Sequence, residues 1–210
     1  MRVLIILTFV VMMSGYTRLS AEELPQACRQ ECASPYGDVL GHSPRGVAAY
    51  SNCASSCVIF QPNHHEGTYT GIKWQCVEYA RRWLLANKGV VYGDVDYAID
   101  IWDKIDHYRQ VATDKKIPVT NFLNGSSKPP QVGDLLIYAK VMFGGTGHVA
   151  VVTAVDLERG TVRVGEQNFS NRPWPDKHAR QLDLIQKDSK YWILDSYLVG
   201  WKRMLEPVSG

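Results

Sequence analysis

The sequence has 210 residues and a formal net charge of +2, and 45% of its residues are hydrophobic, as in an ordinary globular domain with a full core. Its 23 basic residues are nearly balanced by 21 acidic ones, and they form no basic run of five or more. This charge pattern argues against nucleic acid as a partner.

The first 21 residues have the pattern of a secretory signal peptide. Arg2 precedes an apolar run over residues 3–13, which is shorter than the roughly 20 residues that a membrane-spanning helix needs. We expect cleavage near Ala21, and the alternative is an uncleaved anchor, which would be the chain's contact with a membrane. Either arrangement places the domain in a secreted or other oxidising extracytoplasmic compartment.

Four of the five cysteines form two pairs with three residues between the partners, Cys28/Cys32 and Cys53/Cys57. In an oxidising compartment this even set predicts two disulfides. We expect cross-links between the pairs, either Cys28–Cys57 with Cys32–Cys53 or the parallel alternative. A zinc site built from the four cysteines is a competing interpretation. Cys76 is left over as an unpaired thiol.

The first half of the chain reads as loops, short elements and helices. Residues 22–35 are polar and helix-capable, and residues 46–51 predict a short strand. Residues 61–70 read as a loop that contains a His-His-Glu cluster. Adjacent histidines point in different directions, which favours a solvated loop over a metal site. Residues 97–105 predict a short helix.

A helix is predicted over residues 75–88, because its apolar residues recur at helical spacing and Gly89 follows as a C-terminal stop. Cys76 then lies in the first turn, where unpaired N–H groups and the helix dipole favour the reactive thiolate. The competing interpretation is that Cys76 is a small buried hydrophobic residue.

The second half changes to strand patterns. Strands are predicted at residues 134–139, 148–155, 161–168, 191–194 and 199–205. Strands this close in sequence are most simply an antiparallel sheet. Helices followed by strands indicate an α+β fold.

The predicted hairpin between the second and third of these strands gathers three polar side chains. If Val155 pairs with Thr161, then His148 lies opposite Asn168, with Glu166 as its diagonal neighbour. All three positions share one face, because side chains alternate along a strand. A carboxylate beside an imidazole orients the ring, so this face needs only a thiol to become a catalytic site.

Cysteine nucleophilic catalysis is the chemistry that these residues predict. His148 would take the proton of the Cys76 thiol and later protonate the leaving amine, while Glu166 would hold the imidazole. The backbone N–H of Cys76 is a natural oxyanion donor, and Gln75 is a candidate second donor.

Three motifs resemble the CHAP amidohydrolase/peptidase family, and in particular the amidase domain of glutathionylspermidine synthetase/amidase. They are residues 73–82 (KWQCVEYARR), 147–152 (GHVAVV) and 162–168 (VRVGEQN). On this resemblance we place the CHAP domain at residues 37–206, after an N-terminal extension at residues 22–36.

The resemblance implies a papain-like α+β fold, in which the helix bearing the nucleophile packs on an antiparallel sheet. It implies Cys76 as nucleophile, His148 as base and Glu166 as orienting group, without a cofactor or metal. Asn168 matches a further active-site position of the family, and Arg81 matches a substrate-contacting position.

The substrate implied by the resemblance is an amide in a peptide or a peptide conjugate. The family cleaves bonds in peptidoglycan peptides or between the glycine of glutathione and a polyamine. Export favours a cell-wall peptide of the D-alanyl-glycyl type, and the paired cysteines are not part of the amidase pattern. The alternatives are a glutathionylspermidine/trypanothione-type amidase and a non-catalytic secreted binding module.

Overall fold

A computed structural model describes residues 24–205. The predicted signal peptide at residues 1–21 lies outside the described residues. Within the described range, none of the helices combines the length and the apolar character that crossing a membrane requires.

The described chain contains thirteen strands and two α-helices. The strands are β1 (Val39–His42), β2 (Ala48–Tyr50), β3 (Pro62–His65), β4 (Thr68–Ile72), β5 (Val90–Tyr92), β6 (His107–Gln110), β7 (Lys116–Leu123), β8 (Leu135–Tyr138), β9 (His148–Asp156), β10 (Thr161–Gly165), β11 (Arg180–Lys187), β12 (Lys190–Ile193) and β13 (Leu198–Met204). The helices are α1 (Cys76–Lys88) and α2 (Asp100–Lys104), and short 3-10 helices lie at Gln26–Cys28 and Met142–Gly145.

Nine strands form one sheet in the order β12-β11-β10-β9-β8-β13-β7-β6-β5, and every neighbouring pair is antiparallel. Two separate hairpins, β1–β2 and β3–β4, complete the strand set. Helix α1 begins at the cysteine and packs against β4, β5 and β9. The predicted papain-like α+β fold, with the nucleophile's helix on an antiparallel sheet, is confirmed.

Strands β8 and β9 lie at the centre of the sheet and have apolar packing on both faces. Because side chains alternate along a strand, consecutive residues enter two different cores. One core contains α1 together with Leu135, Ile137, Val149 and Val151. The other contains Leu136, Tyr138, Ala150 and Val152. This burial on both faces explains the nearly continuous apolar runs of these two strands.

Helix α1 has the predicted extent, and the second predicted helix is shorter than expected. Gly89 ends α1 in the left-handed conformation (φ 66°), where a residue without a Cβ is favoured. The second helix was predicted over residues 97–105 and spans Asp100–Lys104.

Some predicted local structure was wrong, and several strands were missed. The expected loop at residues 61–70 is largely the β3–β4 hairpin, which reverses at Glu66 and Gly67, both with positive φ. The described part of the helix-capable segment, residues 24–35, forms only the 3-10 turn Gln26–Cys28. Strands β5, β6, β7 and β11 were not predicted, because they are short or carry polar residues at many positions.

The β9–β10 hairpin carries a β-bulge that was not predicted. Val155 pairs with Val162 rather than with Thr161, so the predicted register is wrong near the turn. A bulge then shifts the register by one residue, and Val164 pairs with Val152. Beyond the bulge, the observed register equals the predicted one as far as Gly165, where β10 ends.

Gly165 provides a test of how closely α1 packs on β10. A Cβ at this position would lie 2.5 Å from the hydroxyl oxygen of Tyr79. We expect Gly165→Ala to lower the free energy of unfolding by about 1–3 kcal/mol, the usual cost of overpacking, as measured by chemical denaturation.

The matched control is the same substitution in a Tyr79→Phe background, which removes that oxygen. The nearest remaining atoms, Thr153 Cγ2 and the ring Cζ at position 79, would then lie 3.3 Å from the new methyl group. The cost of Gly165→Ala should therefore shrink. An equal loss in both backgrounds would contradict the proposed clash.

Candidate active site

Cys76 is the first residue of α1 and the one free cysteine among residues 24–205. Gln75 precedes it in an extended conformation (φ −85°, ψ 157°), so the chain turns sharply into the helix at the thiol. Within the described residues, the Cys76 N–H has no hydrogen-bond partner, as expected for the first turn of a helix. The Cys76 thiol and its unpaired N–H group therefore both lie at the start of α1.

A cleft of about 550 Å³ opens over Cys76. His148, Gln75 and Asn168 lie along it with the thiol. The other walls come from β4, the start of α1, the 3-10 helix Met142–Gly145 and two loops. Their lining residues include Ser55, Val58, Phe60, Tyr69, Val77, Asp94, Val95, Asp96, Tyr97, Phe143 and Thr146. The structure thus brings four of the predicted site residues to a single cavity.

His148 is fully buried, and a carboxylate holds it from one side. Its Nε2 lies 2.8 Å from Glu166 Oε2. The rings of Tyr138, Phe143 and Phe169 surround the imidazole, with centroids 5.6, 5.4 and 5.3 Å from its own. The ring is therefore fixed by one polar contact and by aromatic packing.

Among residues 24–205, the second ring nitrogen of His148, Nδ1, has no partner with hydrogen-bond geometry. Burial alone would lower the pKa of His148. The neighbouring Cys76, when it is a thiolate, and the Glu166 carboxylate outweigh burial and raise the pKa of His148 to about 9. The site therefore stabilises the imidazolium form beside the thiol.

Glu166 is 3% exposed, and a third group compensates its burial. Arg180 Nε donates to Glu166 Oε1, and Arg180 Nη2 donates to Oε2 over 3.2 Å. Burial acts to raise the pKa of Glu166, but His148 and Arg180 together hold it below its usual range. Glu166 is therefore a carboxylate that faces the imidazole.

Arg180 was missed by sequence reasoning and is itself firmly held. Its Nη1 donates to Asp195 Oδ2 over 2.8 Å, and its Nη2 lies 3.2 Å from the Tyr138 hydroxyl. The guanidinium carbon lies 4.0 Å from the centroid of the Phe169 ring. Arg180 is brought to Glu166 by the pairing of β10 with β11, in which Val164 pairs with Arg180. It was missed because β11 was not predicted.

Asn168 does not lie opposite His148 as predicted. Strand β10 ends at Gly165, and the backbone at Asn168 is left-handed (φ 55°), which redirects the side chain. Its Nδ2 donates to Gln75 Oε1 over 2.9 Å. Asn168 therefore belongs to the cleft through Gln75, and among residues 24–205 the hydrogen-bond partner of the imidazole is Glu166.

Gln75 lines the cleft, but its amide donor is already engaged. Gln75 Nε2 donates to Asn52 Oδ1 over 3.3 Å and to the Cys57 carbonyl oxygen over 3.2 Å. The predicted role of Gln75 as second oxyanion donor would need one of these long hydrogen bonds to open.

Arg81 is not among the side chains that line the cleft. It is 2% exposed, and its Nη2 donates to Asp94 Oδ1 over 3.0 Å. Its guanidinium carbon also lies 4.8 Å from the centroid of the Tyr92 ring. Asp94, which is 69% exposed, is the member of this pair that faces the cavity.

The four paired cysteines form the disulfides Cys28–Cys57 and Cys32–Cys53, the first of the two connectivities considered. This pairing leaves no thiolates for the alternative zinc site, and two disulfides suggest an oxidising environment. Within residues 24–205, no group of three or more His, Cys, Asp or Glu side chains is arranged to hold a metal ion.

The antiparallel sheet, the helix that begins at a free cysteine and the adjacent histidine define the class of papain-like cysteine hydrolases. Residues 67–168 match the CHAP domain family. This matched range contains Cys76, His148 and Glu166.

Two proteins that are similar in sequence to this chain are much longer than it. The chain is 37% identical over 183 residues to bifunctional glutathionylspermidine synthetase/amidase of Escherichia coli, an alignment that covers 80% of this chain and 29% of that protein. It is 33% identical over 176 residues to trypanothione synthetase of Crithidia fasciculata, covering 84% of this chain and 26% of that protein. The chain thus spans less than a third of each of these relatives.

The Arg180–Glu166 ion pair predicts a pH-dependent effect of removing the guanidinium. Arg180→Met should raise the pKa of Glu166, because Arg180 holds that pKa down. The acid limb of the Cys76 alkylation rate should then move to higher pH, because a protonated Glu166 no longer stabilises the imidazolium beside the thiolate.

Arg180→Lys should shift the acid limb of the alkylation profile less than Arg180→Met does, since lysine keeps the positive charge. Arg163→Met, which removes an exposed arginine from β10, is the matched control and should leave the limb in place. An unchanged acid limb in folded Arg180→Met protein would contradict the role assigned to Arg180.

Proposed function

We propose that the chain is a cysteine amidohydrolase that uses Cys76, His148 and Glu166. The observation that carries this proposal is the buried contact between Glu166 and His148, which lines the same cleft as the helix-start thiol of Cys76. A purely structural histidine would not need a thiol and an open cavity beside it. This arrangement also argues against the alternative of a non-catalytic binding module.

In the proposed reaction, His148 takes the proton of the Cys76 thiol, and the thiolate attacks the amide carbonyl. The imidazolium then gives its proton to the departing amine, which leaves an acyl-enzyme. Water, deprotonated by His148, hydrolyses the thioester and releases the acid. Glu166 keeps the ring in position and stabilises the imidazolium throughout.

The oxyanion of the tetrahedral intermediate needs hydrogen-bond donors at the start of α1. The Cys76 N–H is the donor that the described structure leaves unpaired. The positive end of the helix dipole acts at the same place.

The charges along the cleft favour a substrate with a cationic portion. Asp94 and Asp96 are the exposed carboxylates of the lining, which contains no lysine or arginine among the described residues. Arg81 pairs with Asp94, so Asp96 is the less compensated of the two. An amide between glutathione and a polyamine offers such a cation, in keeping with the names of the relatives.

A cell-wall peptide of the D-alanyl-glycyl type is the second candidate substrate. The two disulfides favour it, because they suit an oxidising extracytoplasmic compartment where such peptides lie. Secretion through the sequence at residues 1–21 would bring the enzyme to that substrate.

The mechanism predicts how activity changes with pH. The pKa of His148 is raised to about 9, so the imidazolium persists above neutral pH and kcat/KM should fall as pH rises through about 9. Glu166→Gln removes a charge that raises this pKa, so the alkaline limb should move to lower pH.

The measurement is a pH profile of amide hydrolysis, with Cys76→Ala as the inactive control. Cys76→Ala should abolish turnover without unfolding the protein, and His148→Ala should reduce turnover more than Glu166→Gln does. Wild-type rates from His148→Ala would remove the histidine from the mechanism.

The substrate prediction is tested by supplying glutathionylspermidine and cross-linked peptidoglycan in parallel. We expect release of free polyamine, and Asp96→Asn should raise KM about two- to fivefold, as expected for loss of an exposed ion pair. Asp103→Asn, on α2 outside the cleft lining, is the matched control and should leave KM unchanged.

Wall fragments without polyamine release would favour the second candidate. Activity on neither substrate would favour the binding module.

A further inference from the structure

Asn52 is a completely buried residue that joins three segments around the cleft. Its Nδ2 donates to the Cys57 carbonyl oxygen over 2.6 Å and to Asn168 Oδ1 over 3.2 Å. Its Oδ1 accepts from the Trp74 N–H and from Gln75 Nε2, each over 3.3 Å. One amide side chain therefore binds the loop before β3, the segment before α1 and the segment after β10.

Asn52 and three residues bound to it form a neutral network. We call it the amide cluster and define it as Asn52, Gln75, Asn168 and Asn171. The Asn52 N–H donates to Asn171 Oδ1 over 2.9 Å. Asn168 Nδ2 closes the cluster by donating to Gln75 Oε1 over 2.9 Å. None of the four side chains carries a charge, and two of them, Gln75 and Asn168, line the cleft.

Both disulfides act on the loop that follows Asn52. Cys53 is the next residue and is bonded to Cys32. Cys57, bonded to Cys28, supplies the carbonyl oxygen that accepts from both Asn52 and Gln75. The cross-links therefore limit the movement of the acceptor on which two members of the amide cluster depend.

We propose that Asn52 is a positioning residue, which fixes Gln75 and Asn168 along the cleft, and that the two disulfides act on catalysis through it. The proposal rests on the proposed amidohydrolase function. Gln75 adjoins the nucleophile, so its placement determines how a substrate carbonyl meets Cys76. Asn52 makes no hydrogen bond to His148, Glu166 or Arg180 within the described residues, and it should not affect proton transfer.

This separation gives a signature that a general loss of structure would not produce. Asn52→Ala should lower kcat/KM for amide hydrolysis about 100-fold, the loss expected when a reacting group is misplaced by about 1 Å, with most of the loss in kcat. The pH dependence of Cys76 alkylation by iodoacetamide should stay as in the wild type. Asn52→Ser, which keeps a polar oxygen, should recover part of the activity.

The disulfides are tested with the paired variant Cys32→Ser/Cys53→Ser, which leaves Cys28–Cys57 intact. This variant should also lower kcat/KM, as Asn52→Ala does. In the Asn52→Ala background, the same pair should cause little further loss, because both changes act through one network. Fully additive losses, in variants with cooperative thermal unfolding, would overturn the link between the disulfides and Asn52.

A readout independent of turnover separates this proposal from the proposed function. By NMR, the side-chain NH₂ protons of Gln75 should exchange slowly in the wild type and faster in Asn52→Ala. Wild-type activity in Asn52→Ala, a shifted alkylation profile, or unchanged Gln75 exchange would each overturn the positioning role. A wild type that hydrolyses no amide, but shows the expected exchange difference, would overturn only the proposed function.

Discussion

The contact between the Glu166 carboxylate and the His148 imidazole is the constraint on which the remaining structure depends. Both groups are buried, and removing a carboxylate from water is costly unless other groups pair with it. Arg180 supplies the compensating charge, and Asp195 binds Arg180 in turn. The result is a line of alternating charges that starts beside the thiol and ends at a partly exposed carboxylate.

The β-bulge in β9 decides whether this contact can form. Thr153 is the extra residue of the bulge, and its hydroxyl donates to the Arg163 carbonyl oxygen over 3.0 Å, which ties the bulge to β10. Alternation along strands and the start of a helix are local rules, so Cys76, His148 and Glu166 could be predicted from sequence. The bulge could not be predicted, and it cancels a one-residue error at the turn, so that Glu166 contacts His148 despite the wrong register there.

The residues that sequence reasoning missed are those placed by contacts between distant segments. Arg180 reaches Glu166 only through the register of β11, a strand whose polar pattern hides it. Asn52 meets Asn168 across 116 residues of sequence. Asn168 itself was placed at a strand end, but β10 stops earlier and the left-handed backbone turns its side chain toward Gln75. Such contacts depend on tertiary packing, which no local pattern encodes.

Two polar networks of different character therefore meet at Cys76. The charged one, through His148 and Glu166, controls where the proton lies, because charges act strongly on a buried imidazole. The neutral one, through Asn52 and Gln75, has little electrostatic effect on that ring and determines geometry instead. Since the disulfides are attached to the neutral network alone, the cross-linked loop can affect the geometry of the cleft without changing the charges that face His148.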